Sequence, residues 1–212
     1  MQTASKNSRL LEVCNLSVMR GDNLLIEDLS FTLSSGDTIW VAGCNGIGKT
    51  SLLKCIAGLL RPANGKVIWT GQNVHKHISP DTGYQGHHDA HKPGLTVLEN
   101  LKFWQAVFMS PIAPELALEK VGLSEQAGLL AKGLSAGQSR RLSLARLLIK
   151  QATLWILDEP AAAMDVKGQQ LIHSLLAEHI AIGGCALIAS HTAPQKIGSN
   201  TRVLTLEGTL NG

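Results

Sequence analysis

The stretch Gly43-Cys44-Asn45-Gly46-Ile47-Gly48-Lys49-Thr50 decides how the rest of the chain is read. It fits the pattern GxxxxGK[ST], and its flanks supply the context that pattern needs. Before it, Thr38 to Ala42 is a short apolar run that predicts a buried strand. After it, Lys49 to Leu60 carries Leu52, Leu53, Ile56 and Leu60 on one helical face. Glycines at Gly43, Gly46 and Gly48 let a backbone wrap closely around a polyanion. Consecutive N–H groups, including those of Cys44, Asn45 and Ile47, then point at phosphate oxygens at a helix start. Lys49 is placed to reach the outer phosphates of a nucleotide, the Thr50 hydroxyl to ligate Mg²⁺, and Ser51 to lie near the α-phosphate. The Cys44 thiol occupies a variable loop position, so a redox role is disfavoured.

A second stretch answers the first. Leu154-Trp155-Ile156-Leu157-Asp158-Glu159 reads as a buried strand ending in two acids. In an α/β sheet that end faces the same edge as the phosphate loop. Asp158 is then a candidate Mg²⁺ holder and Glu159 a candidate to orient or deprotonate an attacking water. Between the two lies Leu134-Ser135-Ala136-Gly137-Gln138, with Ser135 as a helix N-cap. The charges that follow, Arg140, Arg141 and Arg146, read as a solvated face or local ion pairs rather than ligands.

Around these motifs the pattern is α/β. Short strands are expected over residues 11–42, over Lys66–Trp69 after an Asn64-Gly65 turn, and over Thr153–Leu157, Cys185–Ser190 and Thr201–Leu206. Helices are expected over Val97–Phe108, Pro114–Val121, Ala136–Ile149 and Val166–Ile182. The 212 residues are 44% hydrophobic, 17% charged and 4% aromatic, with a net charge of +3. That balance argues against disorder and gives no basic footprint for nucleic acid. No apolar run reaches the roughly 18 residues of a membrane span. Met1 to Leu10 is polar and predicts no secretory leader. The cysteines, Cys14, Cys44, Cys55 and Cys185, form no CxxC pair, so neither a disulfide nor a zinc framework is expected.

The LSxGQ pentapeptide at Leu134–Gln138, between the phosphate loop and the Leu154–Glu159 strand, resembles the ATP-binding-cassette (ABC) ATPases. The resemblance implies a P-loop NTPase cassette: a RecA-like α/β core, an antiparallel β subdomain and a helical insertion. It covers nearly the whole chain as one cassette, with the core at about 1–88 and 153–212 and the helical part at about 89–152. It implies ATP and Mg²⁺ as cofactors and a head-to-tail homodimer of cassettes on ATP binding. In that dimer Ser135, Ala136, Gly137 and Gln138 act in trans on the partner's nucleotide. Ala163-Met164-Asp165 resembles the D-loop, and His191, after the strand Cys185–Ala189, resembles the switch histidine that contacts the γ-phosphate. Two features depart from the family. The adenine-stacking aromatic is missing, leaving Met19 or Arg20, of which the Arg20 guanidinium can stack on a base. The Q-loop glutamine falls at His87 or His88, with His88 the expected substitute and Gln85 a few residues early.

Softer likenesses narrow the family. Gly86-His87-His88, Leu95–Leu101 and Ala152–Pro160 resemble the small cassettes of cytochrome c maturation. That subfamily implies an ATPase subunit of the bacterial haem exporter. It would lie peripherally on the cytoplasmic face of the inner membrane, beside separate integral membrane subunits. Hydrolysis there frees a haem-loaded periplasmic chaperone. The alternatives are the ATPase of another ABC transporter, a soluble non-transport ABC ATPase, and a non-catalytic cassette, against which Lys49, Asp158, Glu159 and His191 stand. The histidines His75, His77, His87, His88 and His91 lack helical spacing, and direct haem or metal binding is not expected. Phe103, Trp104 and Phe108 are expected to be core rather than docking surface.

Overall fold

The computed structural model describes residues 9–70, 72–74, 81–87, 89–191, 196–198 and 200–207. Strands β1 (Arg9–Arg20) and β2 (Asn23–Ser34) form a long hairpin, followed by β3 (Asp37–Ala42) and α1 (Lys49–Ile56). Then come β4 (Asn64–Trp69), β5 (Gln72–Asn73) and β6 (Thr82–Gln85). Helices α2 (Val97–Phe108), α3 (Pro114–Lys120) and α4 (Ala136–Lys150) follow. The chain closes with β7 (Leu154–Asp158), α5 (Val166–Ala181), β8 (Cys185–Ala189) and β9 (Asn200–Thr205).

Two sheets result. An antiparallel sheet runs β2-β1-β4-β5 and a parallel sheet runs β6-β7-β8-β3-β9. Every residue of β7 and of β8 is buried, as a central parallel strand covered on both faces requires. One apolar cluster joins the antiparallel sheet to α1 through Leu16, Leu52, Leu53 and Ile156. The other packs α2, α3, α4 and α5 on the opposite face through Leu101, Leu118, Leu144 and Leu157. Each fully buried Leu or Ile contributes about 1.5–3 kcal/mol. A cavity of about 750 Å³, walled by residues such as Ile112, Leu147, Trp155 and Leu175, opens at the amino edge of the parallel sheet.

Several expected boundaries move. Helix α1 stops at Ile56 rather than Leu60, because Ala57 caps it and Gly58 turns left-handed at φ +75°. Asn64-Gly65 is not a turn but part of β4: Gly65 at φ +82° lies so close to β1 that a Cβ there would sit 2.2 Å from the Asn15 carbonyl oxygen. Strand β6 was not expected from the pattern, since Thr82-Gly83-Tyr84-Gln85 has no apolar alternation. Gly83 fits there because Leu147 and Ala152 press against it.

The arginines of α4 also depart from expectation. Arg140 is 4% exposed and Arg146 is half-buried, so neither lies on a solvated face. Strand β6 is the edge of its sheet, and its outward carbonyls need donors. Lys150 donates to Thr82 O, Arg146 to Tyr84 O at 3.1 Å and Arg140 to Gly86 O at 2.7 Å. Burial lowers the pKa of both Lys150 and Arg146. Two of them make ion pairs as read, Arg140 with Asp89 at 3.3 Å and Arg141 with Asp165 at 3.7 Å. The aromatic residues of α2 are not plain core either. Phe103 is exposed, Trp104 and Phe108 are half-buried and stack at 5.2 Å. Lys92, Arg146 and Lys150 sit over the Phe103, Trp104 and Phe108 rings at 4.5, 5.2 and 5.3 Å.

Candidate functional site

Four strand ends of the parallel sheet converge on one cleft of about 620 Å³. Its walls are Arg20, Asn23, Leu25, Asn45, Gly46, Gly48, Lys49, Thr50, Ser51, His87, Asp158, Glu159 and His191. One wall is the loop from β3 to α1. Gly46 and Gly48 have φ of +81° and +112°, values that a side chain resists. Gly43, at +150°, packs against Ile47 and Leu206. Lys49 is buried and its Nζ donates to Gly43 O at 2.7 Å and Cys44 O at 3.2 Å. The ammonium is therefore held inside the curl of the loop, facing a helix N-terminus whose N–H groups carry no side-chain cap.

The opposite wall is the carboxyl end of β7. Asp158 is buried at 1% exposure, and its Oδ2 has no hydrogen-bond partner among the described residues. An orphaned buried carboxylate oxygen in a cleft that Thr50 also lines is donor chemistry that a hard divalent cation takes. Glu159 adopts φ +50°, so its side chain turns off the strand into the cleft. Its backbone N–H donates to Ala189 O at 2.8 Å. His191 closes this wall: its Nε2 stands 3.2 Å from Glu159 Oε1, and its backbone N–H donates to Glu159 Oε2 at 3.3 Å.

The structure thus brings together the residues read from sequence at Asn45, Gly46, Gly48, Lys49, Thr50, Ser51, Asp158, Glu159, His191 and Arg20. Gly43, Cys44 and Ile47 shape the loop from behind. Asn23 and Leu25 complete the walls and were not assigned to it by the sequence; His87, read as one of two positions for the Q-loop, lines it as well. Asn23 pairs with Arg20 across the hairpin tip in the β1–β2 register, so a hairpin reading of Gly21-Asp22 is the signal that would have found it. His88 lies outside the described residues. Gln85 ends β6 buried, with neither amide atom hydrogen-bonded among the described residues, and does not line the cleft.

None of Ser135, Ala136, Gly137 and Gln138 lines the cleft either. Ser135 and Gln138 instead close a capping box at the start of α4, with Ser135 Oγ accepting from Gln138 N at 3.2 Å and Gln138 Oε1 accepting from Ser135 N at 2.9 Å. Ser135 and Ala136 are exposed. Gly137 packs on the Ala163 carbonyl: a Cβ there would lie 3.2 Å from it. Asp165 caps α5 through the Gly168 N–H at 2.8 Å.

Comparison with known proteins places the chain in a family. The ABC transporter family profile matches residues 26–162. The "Cytochrome c biogenesis ATP-binding export protein CcmA" of Mannheimia succiniciproducens is 45% identical over 187 residues, 85% of this chain and 87% of that protein. Its namesake in Nitrosococcus oceani is 46% identical over 187 residues, 86% of each chain. Among solved structures, a putative ABC transporter ATP-binding protein from Pyrococcus furiosus superposes with a TM-score of 0.81 at 27% identity, covering 94% of this chain and 98% of that one. The chain is a nucleotide-binding ATPase that belongs to the ABC transporter family, in the group of cytochrome c biogenesis ATP-binding export proteins.

Proposed function

We propose that this ATPase is the hydrolytic subunit of a haem exporter used in cytochrome c biogenesis, and that its turnover releases a haem-loaded chaperone or drives haem export. The observation that carries the reading is the 45% identity over 85% of the chain to a cytochrome c biogenesis export protein. Among the described residues no helix is long and apolar enough to cross a membrane. Whatever crosses it is then supplied by integral membrane subunits, with this chain peripheral on the cytoplasmic face of the inner membrane.

Most of the cleft residues have a part in that reading. The N–H groups from Gly43 to Gly48 cradle the phosphates and Lys49 neutralises the β- and γ-oxygens. Thr50 and Asp158 would hold Mg²⁺, which would supply charge neutralisation to the phosphates. Glu159 accepts a proton from, or orients, the attacking water, and His191 contacts the γ-phosphate. The Arg20 guanidinium lies flat on the base. Ser135 to Gln138 lie off the cleft, with Ser135 and Ala136 exposed, which fits action in trans on a second copy's nucleotide, with Asp165 beside that dimer face. His88 stands in for the Q-loop glutamine. No nucleic acid and no direct haem ligation enter this scheme.

The test is affinity purification of the chain from membranes with identification of co-purifying subunits, followed by a haem-release assay with ATP. Integral membrane partners and ATP-dependent release of haem or its chaperone are expected. Recovery of an active ATPase with another transporter's subunits, or bound to ribosomes, would overturn the haem-export assignment.

A further inference from the structure

Arg140 is a buried cation that the phosphate chemistry does not use. At 4% exposure its guanidinium is desolvated, and its Nε has no hydrogen-bond partner among the described residues. A charge held at that cost needs strong compensation. Its compensation comes from two segments far apart in sequence. Nη1 donates to Gly86 O at 2.7 Å and meets Asp89 Oδ1 at 3.3 Å. Nη2 donates to Asp158 O at 2.8 Å and also to Glu159 O. Asp89 is itself fixed by the Ser143 hydroxyl at 2.8 Å. One planar fork therefore ties the end of β6 to the end of β7 from the first turns of α4.

The place where Nη2 grips is the informative part. Glu159 is a non-glycine residue at φ +50°, a conformation that strains an L-residue and persists only when its surroundings over-determine it. Two contacts do so. The Glu159 N–H is held by Ala189 O on β8 and its carbonyl by Arg140. With the peptide pinned on both sides, the side chain swings from a fixed Cα toward His191. Because the Glu159 N–H is held, a relaxation of the strained φ that released Arg140 would turn the Cα–Cβ bond with it.

We infer that Arg140 is a positioning residue for hydrolysis: it sets the backbone of Glu159, and so the direction of its carboxylate, and ties that setting to the Gly86–Asp89 segment and to the signature helix. The inference rests on the assignment of Glu159 as the carboxylate that handles the attacking water. Arg140 does not line the cleft and acts through the backbone that carries Glu159.

The test compares Arg140→Lys, Arg140→Ala, Asp89→Asn and Glu159→Gln, alone and with Arg140→Lys added to Glu159→Gln. The readouts are kcat, affinity for a fluorescent ATP analogue, and single-turnover hydrolysis. Arg140→Lys keeps the charge but loses the fork. It is expected to lower kcat at least about tenfold while nucleotide affinity stays within about threefold, and Arg140→Ala to fall further. Asp89→Asn, which leaves the fork in place, is expected to fall less. In the Glu159→Gln background Arg140→Lys should cost almost nothing more, because residues acting as one unit are not additive. If Arg140→Ala does not fold, the Lys and Asn variants carry the same split. Wild-type turnover in Arg140→Lys, affinity falling in step with kcat, or full additivity with Glu159→Gln would each overturn the inference. If Glu159→Gln itself hydrolyses ATP normally, the underlying assignment of Glu159 fails instead.

Discussion

The two walls of the nucleotide cleft are built on opposite plans. The phosphate loop is made within eight residues: its glycines permit its backbone, and its lysine is held by carbonyls five and six positions away. The carboxylate wall is made from a distance. Glu159 is pinned by Arg140, nineteen residues upstream, by Ala189 and by His191, thirty-two residues downstream. The first wall is a local conformation carrying its own instructions; the second is a meeting of β6, β7, β8 and α4. A change in the first should therefore damage binding of phosphate directly, and a change in the second should damage chemistry while binding survives.

The largest expected effect is in the first wall. Lys49→Ala removes the only ammonium lining the cleft among the described residues, and nucleotide binding or hydrolysis should fall about a thousandfold or more. ATPase activity near the wild-type level would show that the ammonium is not on the phosphates. The second wall gives the converse. Glu159→Gln keeps the shape and loses the base, so turnover should fall about 10²–10⁴-fold while ATP affinity is kept and an ATP-bound dimer accumulates on size exclusion. A strictly monomeric species with ATP would count against the composite site.

The same contrast explains what could be read without coordinates. Gly43 to Thr50, the β3 and β7 strands and the α2 boundaries were legible because each depends on near neighbours. The Ser135 cap was legible for the same reason. Strand β6 was not, because an edge strand needs no apolar alternation when a helix supplies donors to its carbonyls. Arg140 was not, because a charge on a helix looks solvated until an edge strand from fifty-four residues upstream is laid against it. Asn23 joined the cleft through the hairpin register rather than through any motif. Gly65 looked like a turn because its close approach to Asn15 belongs to the tertiary structure.

Two smaller changes sharpen the line between the walls. Gly48→Ala puts a Cβ at φ +112° and 3.1 Å from the Leu25 side chain. ATP affinity should drop about tenfold, with the unfolding midpoint moved by only a few degrees. Unchanged affinity would mean that the loop tolerates another path. Ser135→Ala opens the capping box of α4, which should cost about 1 kcal/mol of stability in denaturant melts. The same variant should lose turnover only under conditions where a dimer forms. Equal loss at dilutions that keep the chain monomeric would argue against action in trans.

The smallest effect belongs to neither wall and serves as their control. His179 lies at the amino edge of the sheet, 6% exposed, its ring stacked on Trp155 at 4.2 Å and 11°. Its Nε2 is 3.2 Å from Cys185 O. Burial lowers its pKa below the usual 6.5, outweighing the carbonyl contacts that raise it. The imidazole is then neutral in the folded chain at pH 7. Above about 6.5 the folded and unfolded chains bind the same number of protons at this position, and its stability contribution is complete. As pH falls through 6.5 the unfolded chain takes up the proton first, and stability is lost at up to about 1.4 kcal/mol per pH unit until the lowered folded pKa is reached. Urea melts at pH 7.5 and 5.5 should show the wild-type chain losing more stability than His179→Gln across that range. His91, whose pKa burial also lowers, contributes equally to both chains and cancels. ATP affinity at pH 7.5 should be the same in both. Parallel pH slopes would mean that the folded ring reaches water and protonates freely. A loss of ATP affinity would mean that the amino edge and the cleft are not independent, and the division between local and distant walls would need a third member.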